Sequence, residues 1–410
     1  MEKIYKREDY LKKIRGFYHD DMIKVISGIR RCGKSSLLKS IVQELKENGV
    51  LEKDIIFLEL DKKEYRKVKT ANELEKLIDE KIIDSNFKYL FIDEIQNVKG
   101  FESLINSYRE EGNFSIFITG SNSYLLSGEL VTKLTGRYIE IEMMTLSFYE
   151  YVDMKRFLNK KINDNIYLEF EEYIRTGGFP KSLYYDEYEQ KITYTSSVIT
   201  QIFEKDIKSS NRINDKALFE RVQKYIINNF GTVISVKNIV DYIQKQSKIR
   251  VDRRTVKRYI DILEKAKIIY PCELFDIKSK SVLKGNKKYY LADLSIYYSQ
   301  NTDNRINYGP VLENVMYSYL KSKNYNLSVG YIGKLECDFI AREKFDDYYY
   351  IQVSKDISSQ DTEEREFKPF YMIKDMYPRY LFTMDLLLQK KDGINHLNIV
   401  DFIYNNNKLK

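Results

Sequence analysis

The chain has 410 residues, 43% hydrophobic and 31% charged, which is enough apolar material for more than one core and implies two or three domains at roughly 150 residues each. Its cysteines are Cys32, Cys272 and Cys337, odd in number and far apart, and its histidines are His19 and His396; this argues against a disulfide framework and Cys/His zinc chemistry and leaves a hard ion held by oxygen. A formal charge of +7 is modest for this length, so net charge alone does not argue for nucleic-acid binding.

The opening segment, MEKIYKREDYLKKIRGFY, is charged and aromatic with no apolar h-region, and no later stretch approaches the roughly 18 apolar residues of a membrane span. A soluble, cytoplasmic protein with no membrane partner is expected. From Asp21 to Met143 short apolar runs (MIKVISG, DIIFLEL, KYLFIDE, FSIFITGS, YIEIEM) are interspersed with amphipathic segments such as KSSLLKSIVQELKENG and ANELEKLIDEKII. That pattern predicts an α/β domain with a parallel sheet covered on both faces, over residues 1–144. Helical spacing then takes over, punctuated by Gly177, Gly178 and Pro180, and predicts a helical lid over 145–210. Three helices (KALFERVQKYIINNF, SVKNIVDYIQKQ, DRRTVKRYIDILEKA) and two strand-like runs predict a winged helix-turn-helix over 211–300. A helix, GPVLENVMYSYLKSK, followed by a meandering sheet predicts a compact α/β domain over 301–410.

Gly28-Ile29-Arg30-Arg31-Cys32-Gly33-Lys34-Ser35 satisfies G-x-x-x-x-G-K-[ST], follows an apolar strand and opens a helix, which is the context a P-loop requires. The glycines let backbone N–H groups curl around phosphates, and the helix N-terminus favours their charge. ATP is therefore expected on Gly28, Arg30, Arg31, Cys32, Gly33, Lys34, Ser35 and Ser36, with Lys34 on the β- and γ-phosphates and Ser35 on Mg²⁺. The run KYLFID ends in Asp93-Glu94, at the edge of a parallel strand facing the same crevice. Asp93 is expected to hold Mg²⁺ and Glu94 to polarise the attacking water.

The order of P-loop, Asp-Glu pair, strand-terminal polar residue, helix, arginine and strand resembles the AAA+ ATPase family across roughly the first 205 residues. The resemblance implies that Asn122, with Ser121 beside it, is the sensor-1 residue touching the γ-phosphate or the water. It also implies that Arg137 is an arginine finger reaching a neighbouring subunit's ATP, and hence a homo-oligomer during hydrolysis. No sensor-2 residue can be assigned, since Arg175 and Lys181 near the GGFP turn lack a motif.

Arg253, Arg254, Lys257 and Arg258 start the third helix of the winged-helix segment, with Lys245, Lys248 and Arg250 nearby, which suits contact with DNA phosphates; the alternative is a solvated basic face on a packing module. The full order of units resembles a group of prokaryotic AAA+ proteins with a restriction-endonuclease-like C-terminal domain. That fold implies a helix-borne Glu, then an Asp, then an acidic-x-Lys strand. Glu313 and Asp338 match the first two, whereas Gln352 and Ser354 stand where the carboxylate and lysine belong, with Lys355 next door. A degenerate nuclease domain kept for binding or assembly is expected. The leading function is thus an ATPase coupling nucleotide state to DNA; the alternatives are a signalling or scaffold ATPase recruiting a protein partner, and an ATP-gated nuclease.

Overall fold

In the computed structural model, which describes residues 3–120, 134–208, 213–247, 250–301, 305–343 and 347–410, the chain divides into two units. One is Met1–Met143 with Ile202–Ser210, and the other is Met144–Gln201 with Asn211–Lys410.

The first unit contains α1 (Glu8–Ile14), β1 (Ile23–Gly28), α2 (Lys34–Glu47), β2 (Ile55–Glu59), α3 (Ala71–Asp79), β3 (Lys88–Asp93), α4 (Phe101–Glu110), β4 (Phe114–Thr119) and β5 (Tyr138–Met143). Its strands form a five-stranded, all-parallel sheet in the order β2-β3-β4-β1-β5. The three inner strands are buried at every position, whereas β2 alternates, as expected when helices cover both faces of the middle strands only. Val25, Leu90, Ile92, Ile116 and Ile118 of those strands pack with Phe101 and Ile105 of α4. Polar members of the buried strands are paired: Lys24 Nζ donates to Asp20 O at 2.6 Å and Ser115 Oγ at 2.8 Å, and Lys88 Nζ lies 2.5 Å from both Asp54 and Asp84. A capping box, Thr70 with Glu73, starts α3.

The second unit begins with three helices, α5 (Phe148–Phe157), α6 (Ile166–Thr176) and α7 (Tyr188–Gln201). It resumes with α8 (Lys216–Asn228), β6 (Val233–Ile234), α9 (Val236–Ser247), α10 (Arg253–Lys265), β7 (Ile269–Asp276), β8 (Ser281–Leu291) and the short α11 (Ser295–Tyr298). Then come α12 (Tyr308–Ser322), β9 (Asn326–Ile332), β10 (Leu335–Arg342), β11 (Tyr348–Val353), α13 (Gln360–Met372), β12 (Arg379–Thr383), β13 (Lys390–Lys391), β14 (Ile394–Asn398) and α14 (Ile399–Tyr404). No helix among the described residues is long and apolar enough to cross a membrane.

Three features differ from the expectations drawn from sequence. The segment expected as one lid is split: residues 145–201 join the second unit and 202–208, a π-helical turn over Ile202–Ile207, join the first. Residues 145–201 are tied to the end of β8 and the start of α11 by Gly178 N, which donates to Asp293 Oδ2 at 2.8 Å, and by Thr145 Oγ1, which donates to Ala292 O at 3.1 Å. Gly177, at φ +73°, is required there, because a Cβ would lie 1.8 Å from Asp293 Oδ1. Second, the expected boundary at residue 300 does not interrupt the sheet. Nine strands run in the order β13-β14-β12-β11-β10-β9-β7-β8-β6, and the parallel pairing of β7 with β9 satisfies two edges that would otherwise expose backbone groups. Third, the C-terminal strands are not a simple meander: β11, β12 and β14 are mutually parallel, with α13 as the crossover between the first two.

Candidate nucleotide site and C-terminal cavity

The loop after β1 is shaped by residues that allow unusual backbone. Gly28 has φ +139°, and a Cβ there would lie 2.3 Å from the Met143 carbonyl oxygen; Gly33 has φ +108° and Arg31 φ +69°. Lys34 is buried in the first turn of α2, where Nζ donates to Gly28 O at 2.9 Å and Ile29 O at 3.3 Å. Its ammonium is thus aimed into the curl of the loop. Arg7 Nη1 braces the far side through Cys32 O at 3.2 Å. Arg30 forms a two-point ion pair with Asp206, Nε to Oδ2 at 2.9 Å and Nη2 to Oδ1 at 2.7 Å. Burial disfavours its charge, yet the Asp206 bonds outweigh this and raise the guanidinium pKa. Ser35 is half-buried and Ser36 exposed at the helix start, where the dipole favours an anion.

The strand order brings the acidic pair beside this loop, because only β4 separates β3 from β1. Thr119, the last residue of β4, links the two acids: its hydroxyl donates to Asp93 Oδ1 and its oxygen accepts from Glu94 N at 3.1 Å. Glu94 adopts a left-handed backbone, φ +59°, uncommon for a residue with a Cβ, and Gln96 Nε2 donates to its carboxylate. Thr119 was missed in the sequence, although a hydroxyl at the end of the FSIFIT run was a usable signal. Ser121 and Asn122, the expected sensor, lie outside the described residues. Among the described residues no three His, Cys, Asp or Glu side chains converge to hold a metal ion. Arg137 stands just before β5, its carbonyl accepting from Ile23 N at 2.9 Å at the start of β1. The six residues of β1 put it about 20 Å from the loop of its own chain. Its guanidinium donates to Asn106 Oδ1 at 3.1 Å and is partly exposed.

Residues 20–152 match the AAA domain family model, and residues 167–305 match a domain of unknown function, DUF8612. An uncharacterised protein of Haemophilus influenzae is 36% identical over 400 residues, covering 97% of this chain and 98% of its own. The chain belongs to that family of AAA-domain proteins. A second relative, the uncharacterised protein MJ1544 of Methanocaldococcus jannaschii, is 29% identical over 86% of this chain and 79% of its own. Among solved structures, the Walker-type ATPase paby2304 of Pyrococcus abyssi shares the fold with a TM-score of 0.51 at 17% identity, over 72% of this chain and 95% of that one.

In the second unit of this AAA-domain protein, α10 begins with an Asp252 cap that accepts from Thr255 N at 3.0 Å. Val256, Tyr259, Ile260 and Leu263 are buried on one face, and Arg253, Arg254, Lys257 and Arg258 are exposed on the other. Lys245 and Arg250 are also exposed, and Lys248 lies outside the described residues.

The C-terminal candidates do come together, around a cavity of about 520 Å³ lined by Glu313, Asp338, Gln352, Ser354, Lys355 and Glu366 among others. Gln352 does structural work there: Oε1 accepts from Asp338 N at 2.7 Å and Nε2 donates to Glu366 Oε2 at 3.1 Å. Ser354 Oγ donates to Asp356 O, and Lys355 Nζ stands 5.0 Å from the Tyr308 ring centre. A cation paired with two of the lining carboxylates is one that sequence reasoning missed. Lys288 of β8, almost fully buried, lies 2.6 Å from Glu313 Oε2 and 2.8 Å from Glu336 Oε1. Tyr290 OH adds a bond to Glu313 at 2.9 Å. Burial pushes the Glu313, Asp338 and Glu366 carboxyls up, with Lys288 opposing at the first two.

Proposed function

We propose that the chain is a cytoplasmic, Mg²⁺-dependent ATPase that passes its nucleotide state to a DNA-binding winged helix, residues 211–300, and to a degenerate restriction-endonuclease-like domain, residues 301–410. The observation that carries the ATPase reading is the Thr119 hydroxyl bridging Asp93 and the Glu94 amide, one strand away from the loop that holds Lys34. Lys34 exchanges the Gly28 and Ile29 carbonyls for β- and γ-phosphate oxygens. Ser35 and Asp93 would hold Mg²⁺, which would supply positive charge against the phosphates. Glu94, fixed by its left-handed backbone and by Thr119, orients the attacking water and accepts its proton. Asn122 contacts the γ-phosphate or that water. Arg137, too far from its own loop, acts on a neighbouring copy, so hydrolysis needs a homo-oligomer.

Support for the DNA role is the row of exposed cations at the start of α10, the third helix of the proposed winged helix. Support for binding over cleavage in the C-terminal domain is Lys288, already paired with the cavity's carboxylates. ATP turnover by wild type and Glu94→Gln, each with and without duplex and single-stranded DNA, tests the reading. DNA-stimulated turnover in wild type and binding without turnover in Glu94→Gln are expected. Turnover indifferent to DNA, with no salt-sensitive DNA binding, removes the nucleic-acid half. A protein partner is then the better reading, favoured by the consecutive exposed leucines Leu386, Leu387 and Leu388. Light scattering with and without ATP would then show nucleotide-driven assembly that ignores DNA.

A further inference from the structure

Arg30 lies between the two glycines of the phosphate loop, its guanidinium is committed to Asp206 through two bonds, and the side chains are only 12% and 7% exposed. Asp206 sits in the π-helical turn Ile202–Ile207, which Lys208 N closes onto Phe203 O at 2.8 Å. That turn belongs to the unit of the phosphate loop, whereas the chain before and after it belongs to the other unit. The charges of Glu94 and Asp61 also favour the charged form of Arg30, after the larger effect of Asp206.

We propose that Asp206 is a positioning residue of the nucleotide site: it holds Arg30 until an ATP phosphate competes for the guanidinium, and the exchange releases residues 202–208. The inference rests on the ATPase reading and deepens it. A guanidinium fork fits a carboxylate and a phosphate with the same two-point geometry, so phosphate can replace Asp206 like for like, which an ammonium would not permit. Once Arg30 turns to phosphate, the two charge-assisted bonds that pin Asp206 to the phosphate loop are lost, and the turn that carries it loosens. Because both flanks of this turn lead into the second unit, its release carries nucleotide state along the chain. The carboxylate therefore acts as an internal competitor that lowers apparent ATP affinity, and removing it tightens binding.

The test uses the full chain with Mg²⁺ and an ATP analogue carrying a non-hydrolysable β,γ bridge. Hydrogen exchange in wild type should show residues 28–36 protected by the analogue while 202–208 exchange faster. Asp206→Asn should bind the analogue about tenfold tighter, with KM falling more than kcat changes, and Asp206→Glu should return toward wild type. Arg30→Lys should exchange quickly over 202–208 with or without nucleotide. Weaker or equal binding by Asp206→Asn overturns the proposal. So does wild-type exchange over 202–208 that slows or stays the same while 28–36 become protected, a result that needs no variant to fold. If the analogue fails to protect 28–36 in wild type, as in Lys34→Ala, the ATPase reading falls and takes this proposal with it.

Discussion

Replacing Thr119 with valine keeps the shape of the side chain and deletes one oxygen, so it isolates the bridge between the two acids. That oxygen donates to Asp93 Oδ1 and accepts from Glu94 N at 3.1 Å. A hydrogen bond to a charged group contributes about 1.5–3 kcal/mol. If that bond is needed to hold Asp93 in the metal-binding position proposed for it, the loss corresponds to roughly a 10- to 100-fold fall in turnover. Glu94 loses the acceptor that steadies its left-handed backbone, so the fall should appear in kcat rather than in KM. Steady-state ATP hydrolysis by wild type, Thr119→Val and Thr119→Ser, with a thermal melt of each, reads this directly. Serine should recover most of the rate, and the melts should differ by far less than the rates. A Thr119→Val protein within twofold of wild type, alongside an inactive Asp93→Asn, would refute the idea that the bridge organises the site.

Lys288→Met leaves Glu313 and Glu336 without their buried cation and should cost about 3–5 kcal/mol at pH 7 in urea unfolding. Because burial already raises the Glu313 carboxyl, the loss should shrink as pH falls toward 5; a pH-independent loss would argue for packing alone. Gly177→Ala puts a methyl 1.8 Å from Asp293 Oδ1 at φ +73°, and should lower stability by at least about 3 kcal/mol, visible as a drop in Tm. Burial lowers the Lys24 ammonium to about 8. Below that pH the folded state carries a penalty for a charged lysine; between 8 and the ordinary 10.5 the unfolded chain binds the extra proton, so stability rises with pH. Lys24→Met should therefore gain about 1–2 kcal/mol at pH 7, after losing two hydrogen bonds, and the gain should narrow by pH 9.5.

The parallel sheet was readable because its strands are buried on both faces: β1, β3 and β4 appear as continuous apolar runs whose length and flanks separate them from helices. The phosphate loop was readable for a different reason, since its glycines, Lys34 and Ser35 act within eight consecutive residues. The polar anchors of buried strands were not readable. Lys24 and Lys88 look like solvated positions until Ser115, Asp54 and Asp84 are brought to them. The strands after β11 were also hidden, because their pairing is parallel through α13 and leaves no local turn signature.

What the sequence determined by itself is local chemistry: a loop that can cradle phosphate, two acids at a strand end, and a helix start rich in cations. Tertiary structure alone decided which distant residues complete each site. Thr119 reaches Asp93 because β4 lies between β3 and β1. Lys288 reaches Glu313 because β7 and β8 continue the C-terminal sheet. Asp206, 176 positions beyond Arg30, becomes its partner because one turn of chain returns to the first unit. The physical reason is common to all three. A buried charge must be paired, and its partner is chosen by the packing of strands and helices rather than by neighbours along the chain.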